Sequence, residues 1–158
     1  MLPDNIRNYR PEDREACLAI FRSNIPKFFT EGEEQDYRGW LDELDGIKPA
    51  APDNGHYYVL EVSGTVLGCG GWGIRDGADH ATLIWGAVHK DYQGLGLGDA
   101  LTRYRLDAFL KEHPAFDMTI DTSQHTAAFY ERFGFRTQKI TEDGYAKGLH
   151  RYDMRLLR

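Results

Sequence analysis

The most constraining feature of the sequence is a glycine-rich stretch that leads directly into an amphipathic pattern. Residues 91–101 read DYQGLGLGDAL, with Gly94, Gly96 and Gly98 at alternate positions. Glycine weakens both strands and helices, so three of them before a helix indicate a sharp turn or a closely approaching ligand. The preceding residues 81–89, ATLIWGAVH, are apolar enough for an internal strand. The stretch therefore predicts a strand–loop–helix unit whose loop backbone is open to a ligand.

Three phosphate-binding patterns compete for these glycines. A dinucleotide-binding G-x-G-x-x-G fingerprint would need glycine at position 99, where the chain has Asp99. A Walker A loop would need a lysine directly after Gly98, and none is there. The pattern Q-x-x-G-x-G is satisfied by Gln93, Gly96 and Gly98. Such a loop can bind an anion, because free N–H groups at a helix N-terminus point at a phosphate; we call it an anion cradle.

The length, net charge, apolar runs and cysteines of the chain argue against several classes of function. Its 158 residues favour one domain, residues 1–158. A net charge of −6, from 25 acidic and 19 basic residues, argues against a binder of duplex nucleic acid. No apolar run is long enough to span a bilayer, and the polar N-terminal residues do not resemble a signal peptide. Cys17 and Cys69 have no metal-site spacing, so we expect a reduced cytoplasmic protein without a metal site or membrane contact.

Apolar periodicity predicts the order of elements along the chain. The order is a strand, two helices, three strands, a helix, a strand, a helix and two strands. Within residues 6–13 we expect a short strand that ends at a helix start formed by Pro-Glu-Asp. The second helix is expected over 33–44, and a hairpin turn at Ser63-Gly64. Gly86 interrupts the apolar strand and suggests a bulge there. This order predicts an α+β (mixed α/β) fold with one central sheet of about six to seven strands and about four helices.

Two segments of the sequence together resemble one known family. The segments AVHKDYQGLGLGDAL and AAFYERFGF, the latter at 127–135, resemble the two signatures of the GNAT superfamily of acyl-CoA-dependent N-acetyltransferases. In that family Q/R-x-x-G-x-G/A binds the pyrophosphate of coenzyme A. The order of elements also fits, so the resemblance covers nearly the whole chain. It implies a sheet splayed between its fourth and fifth strands, and transfer of an acetyl group from acetyl-CoA to a primary amine by direct attack.

The resemblance also implies where acetyl-CoA, the co-substrate, would lie. Pantetheine would enter between residues 81–89 and 116–122, and a bulge near Gly86 would leave Ala87 and Val88 without sheet partners and free to bind it. His125 stands where relatives often have an asparagine that contacts coenzyme A. Lys90, Arg103 and Arg132 are candidates for the adenine and 3′-phosphate end. The full set of predicted cofactor-binding residues is Ala87, Val88, Gln93, Gly94, Leu95, Gly96, Leu97, Gly98, Asp99, His125 and Phe129.

Tyr130 is the candidate catalytic residue, because the family's tyrosine at this motif position protonates the departing thiolate. The proton transfer is close to balanced, since a phenol and an alkyl thiol have pKa values of about 10 and 8.5. A general base is harder to find. The strand segment TLIWGAV lacks the carboxylate that many relatives carry. The alternatives are a water relay, an amine delivered neutral, or one of Glu33, Glu34, Asp36, His80 and Asp121.

The acceptor and the rival functions stay open at this stage. The segment at 24–40, NIPKFFTEGEEQDYRGW, is rich in aromatic and acidic residues, which suits a cationic amine, either a small molecule or a peptide. The resemblance favours a homodimer over a monomer. One rival is a non-catalytic acyl-CoA-binding or sensing domain of the same fold. Another is a nucleotide-binding regulatory domain that uses the cradle for a different phosphate.

Overall fold

The computed structural model describes residues 3–50, 55–75 and 77–157. Within them, seven strands and four α-helices alternate in the predicted order. The elements are β1 (Asn5–Asn8), α1 (Arg14–Ser23), α2 (Glu34–Leu44), β2 (His56–Val62), β3 (Thr65–Gly73), β4 (His80–Val88), α3 (Leu97–Glu112), β5 (Asp117–Ser123), α4 (Ala127–Glu131), β6 (Phe135–Ala146) and β7 (Leu149–Leu156).

The strands form one mixed sheet in the order β1-β2-β3-β4-β5-β7-β6. Every neighbouring pair is antiparallel except β4 and β5, which run parallel. Parallel pairing between β4 and β5 extends only over His80–Thr82, opposite Asp117–Thr119. The predicted fold class and the predicted splay between the fourth and fifth strands are therefore confirmed.

Two apolar clusters cover the opposite faces of this sheet. On one face, α1 and α2 bury residues at three-and-four spacing, such as Leu18, Phe21 and Tyr37, against β2 and β3. On the other face, α3 buries Leu101 and Phe109 and α4 buries Ala127 in a larger cluster. Each helix thus presents one apolar stripe to the sheet, as its periodicity predicts.

The first strand is short and ends before the Pro-Glu-Asp segment, as the sequence predicts. It ends at Asn8, and Pro11–Asp13 form a 3₁₀ turn before α1 begins at Arg14. Proline fixes its own φ and has no N–H, so it opens a helical turn more readily than it continues a strand. Similarly, α2 begins at Glu34, after a 3₁₀ turn over Glu31–Glu33.

The predicted bulge is present in β4. Cys69 pairs with Ala87 and Gly71 with Ile84, so two β4 residues, Trp85 and Gly86, stand opposite one residue of β3. Trp85 has a φ of +43°, which is uncommon for a residue with a side chain and costs about 1–3 kcal/mol.

One expectation about this region is wrong. Ala87 and Val88 do not lack sheet partners, because both are in register with β3, opposite Cys69 and Gly68. The antiparallel ladder with β3 resumes after the bulge. Only the side of β4 that faces β5 is left without a strand, since β5 has already diverged.

Candidate active site

A cleft of about 780 Å³ opens where β4 and β5 separate. The last paired residues are Thr82 and Thr119, whose hydroxyl oxygens lie 3.0 Å apart. Beyond them the cleft is lined by β4, the glycine loop, α3, β5, α4, β6 and the segment between α1 and α2. The divergence of two strands thus opens a concave surface in the sheet.

Most of the predicted site residues line this one cleft. They are Ala87, Val88, Gln93, Gly94, Gly96, Gly98, Asp99, His125, Phe129 and Tyr130. The structure does not bring Leu95 and Leu97 into the lining: Leu95 is 40% exposed, and Leu97 is 1% exposed in the core. The side chain of Leu97 anchors α3, so only its backbone could contribute to binding.

The glycine loop has the backbone of an anion cradle. Gly94 and Gly96 have φ values of +77° and +86°, and Gly96 is the residue before α3 begins. The Ala100 N–H is the one that bonds back to the Gly96 carbonyl, at 3.2 Å. The N–H groups of residues 97–99 precede it and have no helical acceptor, as at any helix N-terminus. At Gly94 an added Cβ would meet nothing within 4 Å, so the positive φ is what requires glycine there.

Gln93 ties this loop to the end of β4 rather than pointing into open cleft. Its side-chain amide donates to the Val88 carbonyl at 3.0 Å and to Asn24 Oδ1 at 2.6 Å. The Asn24 amide donates to the same Val88 carbonyl, also at 3.0 Å. Asn24 is 3% exposed and was missed from sequence, since an asparagine after a helix predicts only a helix end.

A charged pair borders the cradle. Arg132 Nη2 lies 2.5 Å from Asp99 Oδ1, and the guanidinium lies over the Phe129 ring at 5.1 Å. A carboxylate beside an anion cradle is unfavourable for a phosphate, and Arg132 offsets its charge. Of the three predicted cations, Arg132 lines the cleft, whereas Arg103 lies over Phe133 at 5.4 Å.

Tyr130 of α4 lines the cleft. Its ring is 7% exposed and packs edge-on against Phe129 and Phe135, with centroids at 5.1 and 5.8 Å. Within the described residues no group hydrogen-bonds to the Tyr130 hydroxyl. The ring is therefore fixed by packing while its hydroxyl is left available to a ligand.

The opposite end of the cleft is acidic. Tyr145 Oη donates to Asp121 Oδ2 at 2.6 Å, and both residues line the cleft with Glu33. Burial raises the pKa of Glu33, hydrogen bonds from the Thr30 N–H and hydroxyl oppose this, and the charge of Asp121 raises it further. Tyr145 was missed from sequence. The pattern DGYAKG in the β6–β7 hairpin marks a turn but not which way its tyrosine faces.

The other candidate bases lie outside the cleft lining. Hydrogen bonds from Arg22 and Arg38 hold the pKa of Glu34 at about 2, so this carboxylate is a poor proton acceptor. His80 Nδ1 lies 3.1 Å from the exposed carboxylate of Asp79. Only Glu33 and Asp121 among the five candidates reach the cleft.

Two aromatic rings meet across the mouth of the cleft. The Phe28 ring, in the segment between α1 and α2, lies edge-on to the His125 ring at 6.1 Å. This contact joins the acceptor-side wall to the segment between β5 and α4. His125 therefore contacts the segment between α1 and α2, and its place beside coenzyme A stays a prediction.

The chain belongs to the GNAT acetyltransferase family. Residues 53–137 match the family model of the acetyltransferase (GNAT) domain, which is more than half of the chain. Both signatures lie within this matched range, and so do most of the residues that line the cleft.

Solved structures share the fold over nearly their full length. A protein described as a GNAT-family acetyltransferase from Desulfovibrio desulfuricans is 24% identical, with 96% of this chain and 97% of that one covered and a TM-score of 0.77. The ribosomal-protein-S18-alanine N-acetyltransferase of Escherichia coli is 22% identical, with 96% and 92% covered and a TM-score of 0.74. YncA from Salmonella typhimurium, solved with acetyl-CoA as its cofactor, is 19% identical, with 96% and 92% covered and a TM-score of 0.72. No curated protein matches the chain.

The described residues lack two further kinds of feature. None of their helices is both long enough and apolar enough to cross a membrane. They also contain no group of three or more His, Cys, Asp or Glu side chains placed to hold a metal ion.

Proposed function

We propose that the protein is an N-acetyltransferase that moves the acetyl group of acetyl-CoA to a primary amine by direct attack on the thioester. One observation carries the proposal. A single cleft is lined by the glycine loop, by Tyr130, whose hydroxyl has no hydrogen-bond partner among the residues that the structure describes, and by the acidic residues Glu33 and Asp121. A phosphate-bearing acyl donor and a cationic acceptor would meet beside a proton donor.

We assign the pyrophosphate of acetyl-CoA to the loop from Gln93 to Asp99. The left-handed backbone at Gly94 and Gly96 turns consecutive N–H groups towards one point, and the start of α3 adds its dipole. The pantetheine arm would run along the open side of β4. The His89 N–H bonds to the Leu67 carbonyl of β3 at 2.8 Å, so strand alternation turns the Val88 N–H towards the cleft.

The reaction then proceeds in steps that the cleft residues support. Glu33 accepts a proton from the ammonium group, which a carboxylate with a raised pKa does more readily than an ordinary one. The neutral amine attacks the thioester carbonyl, the C–N bond forms, and the C–S bond breaks. The Tyr130 hydroxyl gives its proton to the departing thiolate of coenzyme A. The phenolate regains a proton from the amide-forming nitrogen through solvent.

We propose a cationic amine as the acceptor. Glu33 and Asp121 both line the cleft, and the charge of Asp121 adds to burial in raising the pKa of Glu33. Arg151 Nη2 lies 3.9 Å from Asp121 Oδ1 and offsets part of the charge of Asp121, so Glu33 is the carboxylate that we assign to a bound ammonium group. The similar Escherichia coli protein is named for acetylating a protein alanine, so peptide amines belong in a test panel beside small amines.

The remaining sequence predictions concern organisation and stay predictions. We propose that residues 1–158 form one acetyltransferase domain, supported by two clusters that pack on the same sheet. We also propose a homodimer and a cytoplasmic location. Sedimentation at micromolar concentration that gave only 18.1 kDa would reject the dimer.

A ligand titration followed by an activity assay tests the proposed function. Acetyl-CoA at a hundredfold excess over its Kd should stabilise the protein by about 2.7 kcal/mol, seen as a higher melting temperature. A panel of polyamines, amino acids and peptides should then give release of coenzyme A with at least one acceptor. No thermal shift at millimolar acetyl-CoA contradicts the proposal. A thermal shift without turnover on any amine would favour the non-catalytic sensing domain.

A further inference from the structure

Arg105 of α3 is an unusual buried charge. It is 1% exposed, and no carboxylate of the described residues forms an ion pair with it. Its Nε and Nη2 donate to the Gly71 carbonyl at 3.1 and 2.8 Å, and Nη2 also donates to the Ile84 carbonyl at 3.0 Å. Burying a guanidinium against neutral carbonyls alone is costly, which calls for a compensating role.

β3 and β4 each have a glycine where they face this guanidinium. A Cβ on Gly70 would lie 2.9 Å from Arg105 Cζ, and a Cβ on Gly86 would lie 2.5 Å from Arg105 Nη1. Glycine inside a strand lowers its stability, so two glycines facing one arginine are themselves a cost. Arg105 thus occupies a place that β3 and β4 both leave open for it.

The groups that Arg105 holds flank the β4 bulge. Gly71 and Ile84 form the register pair just before the bulge, and Gly86 is the bulged residue beside Nη1. From the other face of the sheet, the Tyr57 hydroxyl donates to the Trp85 carbonyl at 2.7 Å. Side-chain donors on both faces therefore hold the bulge, with the positive φ of Trp85 between them.

We propose that Arg105 is a positioning residue for acyl transfer. Its guanidinium fixes the bulge so that the Val88 N–H beyond it meets the thioester oxygen in one geometry. Its charge lies beneath the strand segment where negative charge develops on that oxygen, and a fixed charge in a dry site stabilises such an oxyanion. The inference rests on the proposed function, because it takes acetyl-CoA to lie along this edge of β4.

The first experiment reads the thioester directly and needs no acceptor. The ¹³C resonance of [1-¹³C]acetyl-CoA is recorded free, bound to the wild type, and bound to Arg105→Met, which keeps the side-chain length but removes charge and donors. We expect the bound carbonyl resonance of the wild type to move downfield, and Arg105→Met to lose more than half of that shift. The Kd for coenzyme A without the acetyl group should stay within about threefold, since the hydrogen bonds of Arg105 go to β3 and β4 and not to the glycine loop.

Two further variants separate positioning from simple stability. Arg105→Lys keeps a charge but cannot bond both carbonyls, so it should restore less than half of the lost shift. Gly86→Ala places a methyl group against Arg105 Nη1. On its own, this substitution should reduce the downfield shift of the bound carbonyl resonance. Added to Arg105→Met, it should reduce that shift by less. Lys111→Met, at an exposed position on the same helix, is the matched control and should behave as the wild type.

The outcomes are distinguishable. A folded Arg105→Met protein with an unchanged bound carbonyl resonance would overturn the role of Arg105 and leave the proposed function standing. A wild type that binds no acetyl-CoA would overturn the proposed function and this inference together. If Arg105→Met does not fold by circular dichroism, the Gly86→Ala measurement decides. An unchanged resonance in folded Gly86→Ala would then count against the proposal.

Discussion

The two ends of the cleft are built in different ways. The cradle end uses the backbone of one continuous segment, residues 93–99, in which glycines set the angles. The acceptor end uses side chains from three separate elements: Glu33 from the turn before α2, Asp121 from β5 and Tyr145 from β6. Backbone recognition suits a ligand part that never varies, whereas side chains can be exchanged to suit an acceptor.

Substitutions at the two ends should therefore have different effects on binding and on turnover. Variants at the cradle should change the affinity for coenzyme A regardless of the acceptor. Variants at the acceptor end should change the rate or the acceptor KM and leave coenzyme A binding alone. Tyr130, between the two ends, should affect turnover with neither affinity changed.

The largest effect is expected for Tyr130→Phe. The ring still packs against Phe129 and Phe135, so fold and coenzyme A affinity should be retained. Losing a general acid should lower kcat and kcat/KM together by about 10²–10⁴-fold. Steady-state kinetics with acetyl-CoA check this, and the loss should shrink with an acyl donor whose thiol is more acidic. An unchanged kcat would show that this tyrosine is structural.

Glu33→Gln should have the next largest effect, about 10²-fold in kcat, because a neutral amide cannot accept the amine proton. The raised pKa of Glu33 means that the wild-type rate should fall as pH decreases through that raised value. This limb of the pH–rate profile should disappear in the variant.

The effect of Glu33→Gln on the melting temperature is a second test, and the direction of that effect can be predicted. A carboxyl group whose pKa is higher in the folded state favours folding when protonated, and that contribution is lost as pH rises through the folded pKa. Removing the charge at neutral pH should therefore leave the melting temperature unchanged or higher. A lower melting temperature with an intact pH profile would count against Glu33 as the base.

At the cradle, Gly96→Val should weaken coenzyme A binding by about tenfold or more while the fold persists. A β-branched residue resists the φ of +86° and would crowd a bound phosphate. Calorimetry with coenzyme A measures the loss. Gly64→Val is the control, since Gly64 has a φ of +79° in a distant hairpin, and it should lower stability without changing the Kd. Equal Kd values for both variants would remove the cradle assignment.

The smallest effect is expected for Tyr145→Phe. It removes one hydrogen bond to the carboxylate of Asp121, worth about 1–3 kcal/mol when fully shielded and less at this exposed site. The acceptor KM should change by about two- to tenfold, with no change in coenzyme A affinity. A change in coenzyme A affinity instead would break the separation between the two ends.

The sequence alone was enough to predict the cradle and the order of elements. Gln93, Gly96 and Gly98 are close in the chain, and their spacing carries their geometry because glycine angles and a helix start are local properties. The apolar patterns likewise predicted the order of elements around one central sheet, and Gly86 indicated the bulge. These features depend on residues within about ten positions of one another.

Only the tertiary structure decided the rest. It paired Ala87 and Val88 with β3, withdrew Leu97 into the core, and brought Glu33, Asp121 and Tyr145 to one recess. It also buried Arg105, which the sequence shows only as one more polar residue on an amphipathic helix. Contacts between residues 20 to 110 positions apart depend on how the helices pack and where two strands separate, and no local spacing encodes that packing.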